Sequence, residues 1–254
     1  MSRCQGLSPG TIFARDFRIV RKLAEGGMGE VYEVEQLSTR KARALKVMQF
    51  ALLGDERQRE RFLQEAHIAS GIESDHVIEV VSAGVDEDSG APWLALELLR
   101  GVTLSERLTR GPLPPDDARE VFRQLRHALG QAHTLGLVHR DLKPENVFIA
   151  TARRAGVAFT VKLLDFGISK WVQEHCAPAI NSQVIGSPFW MAPEQLEAGA
   201  RIVPATDVWA LGLMAFAALT GRFYWRSVQG PEASVGSAFV EVLTLPLDRA
   251  SARA

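Results

Sequence analysis

Between Leu137 and Phe148 the chain reads LVHRDLKPENVF, and this stretch constrains the fold more than any other. From His139 to Asn146 it packs His139, Arg140, Asp141, Lys143, Glu145 and Asn146 into eight positions, with apolar strand-like runs on either side. A polar surface loop is a poor account of such a segment, because charge held close to apolar chain is costly unless it is paired. Twenty-four residues beyond Asp141, Asp165 in LLDFGIS again ends an apolar strand. Two carboxylates and an amide at strand ends make an oxygen-donor set suited to a divalent cation such as magnesium.

Two further charges stand in apolar surroundings. In ARALKVM, Lys46 shares a strand face with Ala42, Ala44 and Met48, and a buried lysine is rare unless paired. Glu65 falls three residues after Phe62 on the packing stripe of a helix. Each needs a partner, and the natural one is the other; an exposed edge strand with a solvated carboxylate is the competing reading. The glycine-rich stretch LAEGGMGEVY lies between two strands, where Gly26, Gly27 and Gly29 leave backbone N–H groups free to close over polyphosphate. Without GxxxxGK[ST] and without a helix directly following, it is neither a P-loop nor a dinucleotide fingerprint.

Around these features the chain changes character once. Phe17–Leu23, Val31–Gln36, Ala42–Gln49, Val77–Ala83 and Trp93–Glu97 read as strands. One helix interrupts them, with Asp55 as N-cap, Gln58 completing a capping box, and Phe62, Ala66 and Ala69 as its packing face. After Gly101 the pattern becomes helical. Asp116–Gly136 carries Ala118, Val121, Phe122, Leu125, Ala128, Leu129 and Ala132 on one stripe, closed by Gly136. Val147–Ala150 and Val161–Leu164 form a hairpin through Arg153–Gly156, and Val208–Leu219 is a core helix too short to span a bilayer. A strand-rich lobe followed by a helix-rich lobe, with a cleft between them, is an α+β architecture.

Composition excludes several classes. A net charge of −1 leaves no footprint for nucleic acid or an anionic membrane. Only Cys4 and Cys176 are present, without metal-ligand spacing, which points to a reducing, cytoplasmic setting rather than a disulfide framework. Residues 1–16 read as a flexible tail without a signal-peptide core.

Taken in order, these motifs resemble the protein kinase superfamily, specifically the bacterial Hanks-type (eukaryotic-like) serine/threonine kinases, from about Phe17 to Thr220. The resemblance implies a bilobal fold: a β-rich N-lobe over 17–96, a hinge over 97–101 and a helical C-lobe over 102–254. It also implies ATP and Mg2+ as cofactors and transfer of the γ-phosphate to Ser or Thr hydroxyls of protein substrates, the kinase itself included. On that basis Ala24, Glu25, Gly26, Gly27, Met28, Gly29 and Val31 form the lid over the phosphates, and Lys46, positioned by Glu65, holds the α- and β-phosphates. Leu96, Glu97 and Leu99 correspond to gatekeeper and hinge, while Val31, Ala44 and Phe148 sandwich adenine. Asp141 is the catalytic base, Lys143 neutralises the transferring phosphoryl group, and Asn146 and Asp165 ligate magnesium. His139 orients the loop, and Asp207 anchors its backbone. DLKPEN is the serine/threonine type. GSPFWMAPE resembles the peptide-receiving GTPxYMAPE segment, with Ser187 in place of threonine.

Arg140 before the catalytic aspartate implies switching by activation-segment phosphorylation, with Ser182 as the autophosphorylation site and an unmodified loop serine as its alternative. Two positions depart from the family. Ala24 replaces the lid's first glycine. After Gly221 the family continues through several helices, among them an arginine that pairs with the equivalent of Glu194, and no such arginine is evident here, so the C-lobe reads as incomplete. That departure keeps a catalytically silent binding module, a pseudokinase or truncated kinase, as the rival reading. A small-molecule phosphotransferase of the aminoglycoside-kinase type would lack Lys143-Pro144 and Ala192-Pro193-Glu194, both of which are present.

Overall fold

Alternation of apolar residues along the first strands produces a sheet with two working faces. The computed structural model describes residues 6–26, 29–48, 56–152, 156–166, 188–197, 199–229 and 234–253. Cys4, Gly27, Met28, Asp55, Cys176, Ser182 and Ser187 lie outside them. The described residues fall into two units: one holds those up to Ile72 and Ile78–Arg100, the other Glu73–Val77 and those from Gly101 onward.

The first unit contains β1 (Ile12–Phe13), β2 (Phe17–Gly26), β3 (Gly29–Gln36), β4 (Lys41–Met48), α1 (Glu56–Ser70), β5 (Val80–Val85) and β6 (Pro92–Glu97). They build an antiparallel sheet in the order β1-β2-β3-β4-β6-β5. One face buries Phe17, Ile19, Tyr32, Val34, Leu45 and Ala95. The other face receives α1, whose Phe62, Ala66 and Ala69 pack with Ala44, Met48, Leu94 and Leu96. Period-two alternation explains the division, since Leu45 and Ala44 point to opposite faces. By the same parity Lys46 lies on the α1 face, and it is buried. Gly84 is required by close approach: a Cβ there would sit 2.5 Å from the Trp93 ring, which in turn stands edge-on to Phe17 at 5.0 Å.

The strand expected at Val77–Ala83 begins only at Val80. Val77 instead makes a parallel bridge to Leu163 within the second unit. The chain there serves two partners in succession, which its apolar pattern does not reveal.

In the second unit β7 (Gly101–Thr103), β8 (Val147–Thr151) and β9 (Phe159–Leu163) form a three-stranded sheet. The expected hairpin is β8–β9, in register from Val147↔Leu163 to Thr151↔Phe159. Helix α2 (Leu104–Leu108) opens with a capping box between Thr103 and Glu106. Helix α3 (Pro115–Thr134) buries Ala118, Val121, Leu125, Ala128, Leu129 and Ala132, whereas Phe122 at the edge of the stripe is only half-buried. Gln124 is buried too: its Oε1 accepts the Val161 N–H at 2.6 Å and its amide donates to Glu120, tying α3 to β9. Gly136 ends the helix in the left-handed region at φ 75°. Helix α4 (Pro204–Thr220) is the expected core helix, burying Ala210, Leu213, Met214, Phe216, Ala217 and Ala218. Val208 and Leu219 at its two ends are exposed. Among the described residues no helix is long and apolar enough to cross a membrane.

Beyond Gly221 the chain adds α5 (Val235–Thr244) and the short α6 (Ala250–Arg253). They are joined by the buried carboxylate of Glu241, which accepts the N–H groups of Arg226 and Ser227 and pairs with Arg253 at 2.5 Å. Both side chains of the pair are about 95% buried, at 4% and 5% exposure, and the Arg253 guanidinium also stacks over the Tyr224 ring. Burial alone would raise the Glu241 pKa, but the hydrogen bonds from Arg253, Ser227 and Arg226 outweigh it and hold it at about 2. A depressed carboxylate stabilises the fold above its unfolded value and ceases to as pH falls toward the folded one. Glu241 should therefore contribute fully above pH 5, and its contribution should be lost progressively down to about pH 2. Glu241→Ala, which strands the buried guanidinium, should cost about 3–5 kcal/mol, read as a lowered midpoint in urea at pH 7. Wild-type stability in that variant would refute the role.

Candidate active site

The polar segment His139–Asn146 is held by a buried carboxylate beneath it. Asp207, in the first turn of α4, is 1% exposed. Its Oδ2 accepts the His139 N–H at 2.9 Å and its Oδ1 the Arg140 N–H at 3.0 Å. The Nε2–H of His133, near the end of α3, donates to Oδ2 at 2.8 Å. A charge this deep persists only when its lone pairs are occupied, and three donors occupy them here. The sequence singled out Asp207 through family resemblance; the contribution of His133 was missed.

His139 is fully buried and fixes a second layer. The Asp141 N–H donates to its Nδ1 at 3.3 Å, which sets the Nε2–H tautomer, and Nε2 donates to the Leu164 carbonyl at 2.8 Å. The Leu164 N–H donates to the Asn146 carbonyl at 2.8 Å. Leu164 is thereby fixed at both its polar groups, immediately before Asp165. Phe166 stands edge-on to the His139 ring at 4.9 Å. The orienting role expected of His139 matches these contacts, since both ring nitrogens are spent on backbone.

The three side chains at the centre of the loop touch one another. Lys143 Nζ lies 2.8 Å from Asp141 Oδ2. Asn146 Nδ2 donates to the Asp141 carbonyl at 2.7 Å and to Asp141 Oδ2 at 3.1 Å. Pro144 opens the 3-10 turn Pro144–Asn146 that brings Asn146 back over Asp141. With its amide nitrogen committed, Asn146 has its Oδ1 left over, and that atom accepts no hydrogen bond among the described residues. A carboxamide oxygen beside the Asp165 strand end is a hard donor of the kind magnesium takes. Among the described residues no group of three or more His, Cys, Asp or Glu side chains forms a metal cage. Asp165 sits in the left-handed region at φ 57° and Arg140 at φ 66°, strained backbone for residues bearing a Cβ.

The peptide-segment residues are anchored separately. Trp225 Nε1 donates to the Phe189 carbonyl at 2.7 Å, and Trp190 packs on Phe223 with centroids 5.5 Å apart. Glu194, for which the sequence offered no arginine, accepts a hydrogen bond from the Thr206 hydroxyl at 2.6 Å. The buried arginine of this region, Arg253, pairs with Glu241 instead.

In the first unit, Lys46 pairs across the sheet with Val31 and Leu94, and Ala44 with Glu33 and Leu96. Glu97 is buried, its backbone N–H bonded to the Glu79 carbonyl and its Oε1 to the Glu79 N–H. Leu99 is half-buried, as is Phe148 of the second unit, on β8. Ala24 keeps strand pairing with Val31, so alanine costs no left-handed strain in place of glycine. Glu25 is tied to Lys22 at 2.6 Å, and Gly26 pairs with Gly29. A Cβ at Gly29 would lie 2.2 Å from the Val47 carbonyl oxygen, so only glycine fits. The Lys46–Glu65 ion pair expected from the sequence is not among the ion pairs of the described residues, although Lys46 is not without a partner. The cause is rotational. With Phe62, Ala66 and Ala69 seated on the sheet, Glu65 lies about 65° around α1 from the centre of that stripe, at roughly 100° per residue.

A family model described as the protein kinase domain matches residues 17–249. The chain is 37% identical over 238 residues to the serine/threonine-protein kinase pkn2 of Myxococcus xanthus, covering 92% of this chain and 28% of that protein. It is 32% identical over 207 residues to PrkC of Bacillus subtilis, covering 81% of this chain and 30% of the relative. The chain thus spans under a third of the length of these two relatives. Among solved structures, the PknI kinase domain of Mycobacterium tuberculosis aligns with a TM-score of 0.68 at 30% identity, covering 89% of this chain and 82% of that one. With an Asp–Lys–Asn loop anchored on a helix and a family match over nearly all its length, the chain belongs to the protein kinase family.

Proposed function

We propose that the chain transfers the γ-phosphate of ATP to serine or threonine hydroxyls of protein substrates, in a magnesium-dependent reaction. The observation that carries this reading is the Asp141–Lys143–Asn146 contact on a backbone pinned to Asp207. Phosphoryl transfer asks for positioning and charge neutralisation more than for covalent chemistry, and this loop provides both. Asp141 orients the acceptor hydroxyl and takes its proton. Lys143, already beside Oδ2 of Asp141, neutralises the phosphoryl oxygens as they move toward the acceptor. Asn146 Oδ1 and the Asp165 carboxylate would hold magnesium, which supplies charge neutralisation across the phosphates when bound. Lys46 would grip the α- and β-phosphates, and the backbone of Glu97 and Leu99 would meet adenine. Residues 24–31 would cover the phosphates.

The rival reading, a silent binding module, predicts loss of one or more of Lys46, Asp141, Asn146 or Asp165, and all four are present. Phosphate on the activation segment, with Ser182 as acceptor and Arg140 as its guanidinium partner, would order that segment and switch the enzyme on.

Radiolabelled transfer from ATP to a generic protein substrate with magnesium should proceed in the wild type. It should fall by about 10²–10⁴-fold in Asp141→Asn, the range for loss of a general base, and to a similar extent in Lys46→Met. Equal rates in wild type and Asp141→Asn would sink the mechanism. Intact-mass and peptide mass spectrometry of the ATP-treated protein should find phosphate on Ser182; a segment left unmodified while activity rises would remove the proposed switch.

A further inference from the structure

Arg140 is the most constrained residue of the loop, and two side chains constrain it from opposite ends. Its φ of 66° lies in the left-handed region that a residue with a Cβ occupies only when its surroundings force it. On the N–H side the force is Asp207, at 3.0 Å. On the carbonyl side it is Gln195, whose Nε2 donates to the Arg140 oxygen at 2.6 Å. The same carboxamide accepts the Ala192 N–H through Oε1 at 3.1 Å. One planar group therefore ties the carbonyl preceding Asp141 to the Ala192–Gln195 turn. That turn is itself bonded to α4 through Glu194 and Thr206. Only a primary amide offers a donor and an acceptor on one rigid plane at this reach. Glutamate, lysine or methionine of similar length would each lose one or both bonds.

We infer that Gln195 is a positioning residue for Asp141: it holds the Arg140 peptide in its strained conformation and couples it to the segment that receives the peptide substrate. This inference rests on the kinase reading for its effect on rate, but the clamp itself is a property of the loop. Gln195 touches no reacting group, so its removal acts on turnover through the placement of Asp141. ATP binding, which draws on other residues, should change little.

The test uses the chain with Gln195→Met, which keeps length and apolar bulk but neither bond, and Gln195→Glu, which keeps the acceptor and turns a carboxylate on the Arg140 oxygen. Each should lower kcat about tenfold, the order expected for one hydrogen bond that sets a reacting geometry. KM for ATP should stay within about twofold. Arg140→Gly relieves the left-handed cost, so Gln195→Met should lose markedly less when introduced in that background. Hydrogen–deuterium exchange provides a readout independent of catalysis. Amides of the 138–142 segment should exchange faster in Gln195→Met, while those of α3 remain protected. Unchanged exchange in that segment overturns the clamp whether or not phosphate is transferred. Faster exchange with unchanged kcat overturns its role in positioning Asp141. Faster exchange in Gln195→Met, with a wild type that transfers no phosphate at all, would instead retain the clamp and reject the kinase reading. A general rise in exchange across α3 and α4 would reduce Gln195 to a structural residue and likewise overturn the inference.

Discussion

A single buried carboxylate organises the second unit. Asp207 has three donors around it, and they come from the end of α3 and from two successive peptides of the loop that carries Asp141. Removing water from a carboxylate costs several kcal/mol, which only well-directed donors recover. The backbone at His139 and Arg140 is therefore not free to relax. Arg140 holds its left-handed conformation between Asp207 on its N–H side and Gln195 on its carbonyl side. From there the order passes outward. His139 fixes Leu164, Leu164 fixes the approach to Asp165, and the Pro144 turn returns Asn146 to Asp141.

The helix that bears Asp207 serves a second task in the same turn. Thr206, one residue earlier and 1% exposed, gives its hydroxyl to Glu194. A neutral hydroxyl needs far less compensation than a buried arginine would, so the carboxylate of the Ala192–Pro193–Glu194 turn is satisfied without importing a second charge. The first turn of α4 thus fixes the Asp141 loop through a carboxylate and the Ala192–Glu194 turn through a hydroxyl. Adjacent residues on one helix set the distance between the two.

Much of this was legible in the sequence, for a physical reason. Alternating strands reported the two faces of the first sheet, because period two is imposed by backbone geometry, and the α3 stripe reported its buried face. The loop stood out because charge density beside apolar runs has few folded solutions. What escaped were contacts without a local signature. Gln124 and Gln195 read as ordinary polar residues, yet each spends its amide on backbone far along the chain, Gln124 on Val161 and Gln195 on Arg140. The second role of Val77 and the hydroxyl partner of Glu194 are of the same type. A pairing that depends on three-dimensional closure leaves no periodic trace.

Lys46 and Glu65 show the opposite limit. The face expected of Lys46 matches its burial on the α1 side of the sheet, whereas Glu65, expected on the packing stripe, is half-buried beside it. The inference from two stranded charges to one ion pair failed because it treated the helix as free to present any flank. Three apolar side chains fix the rotation of α1, and burying them outweighs a single ion pair that must first be desolvated. The loop bearing Asp141 is instead held by directed hydrogen bonds, which Asp207 and Gln195 place on the Arg140 peptide from its two ends.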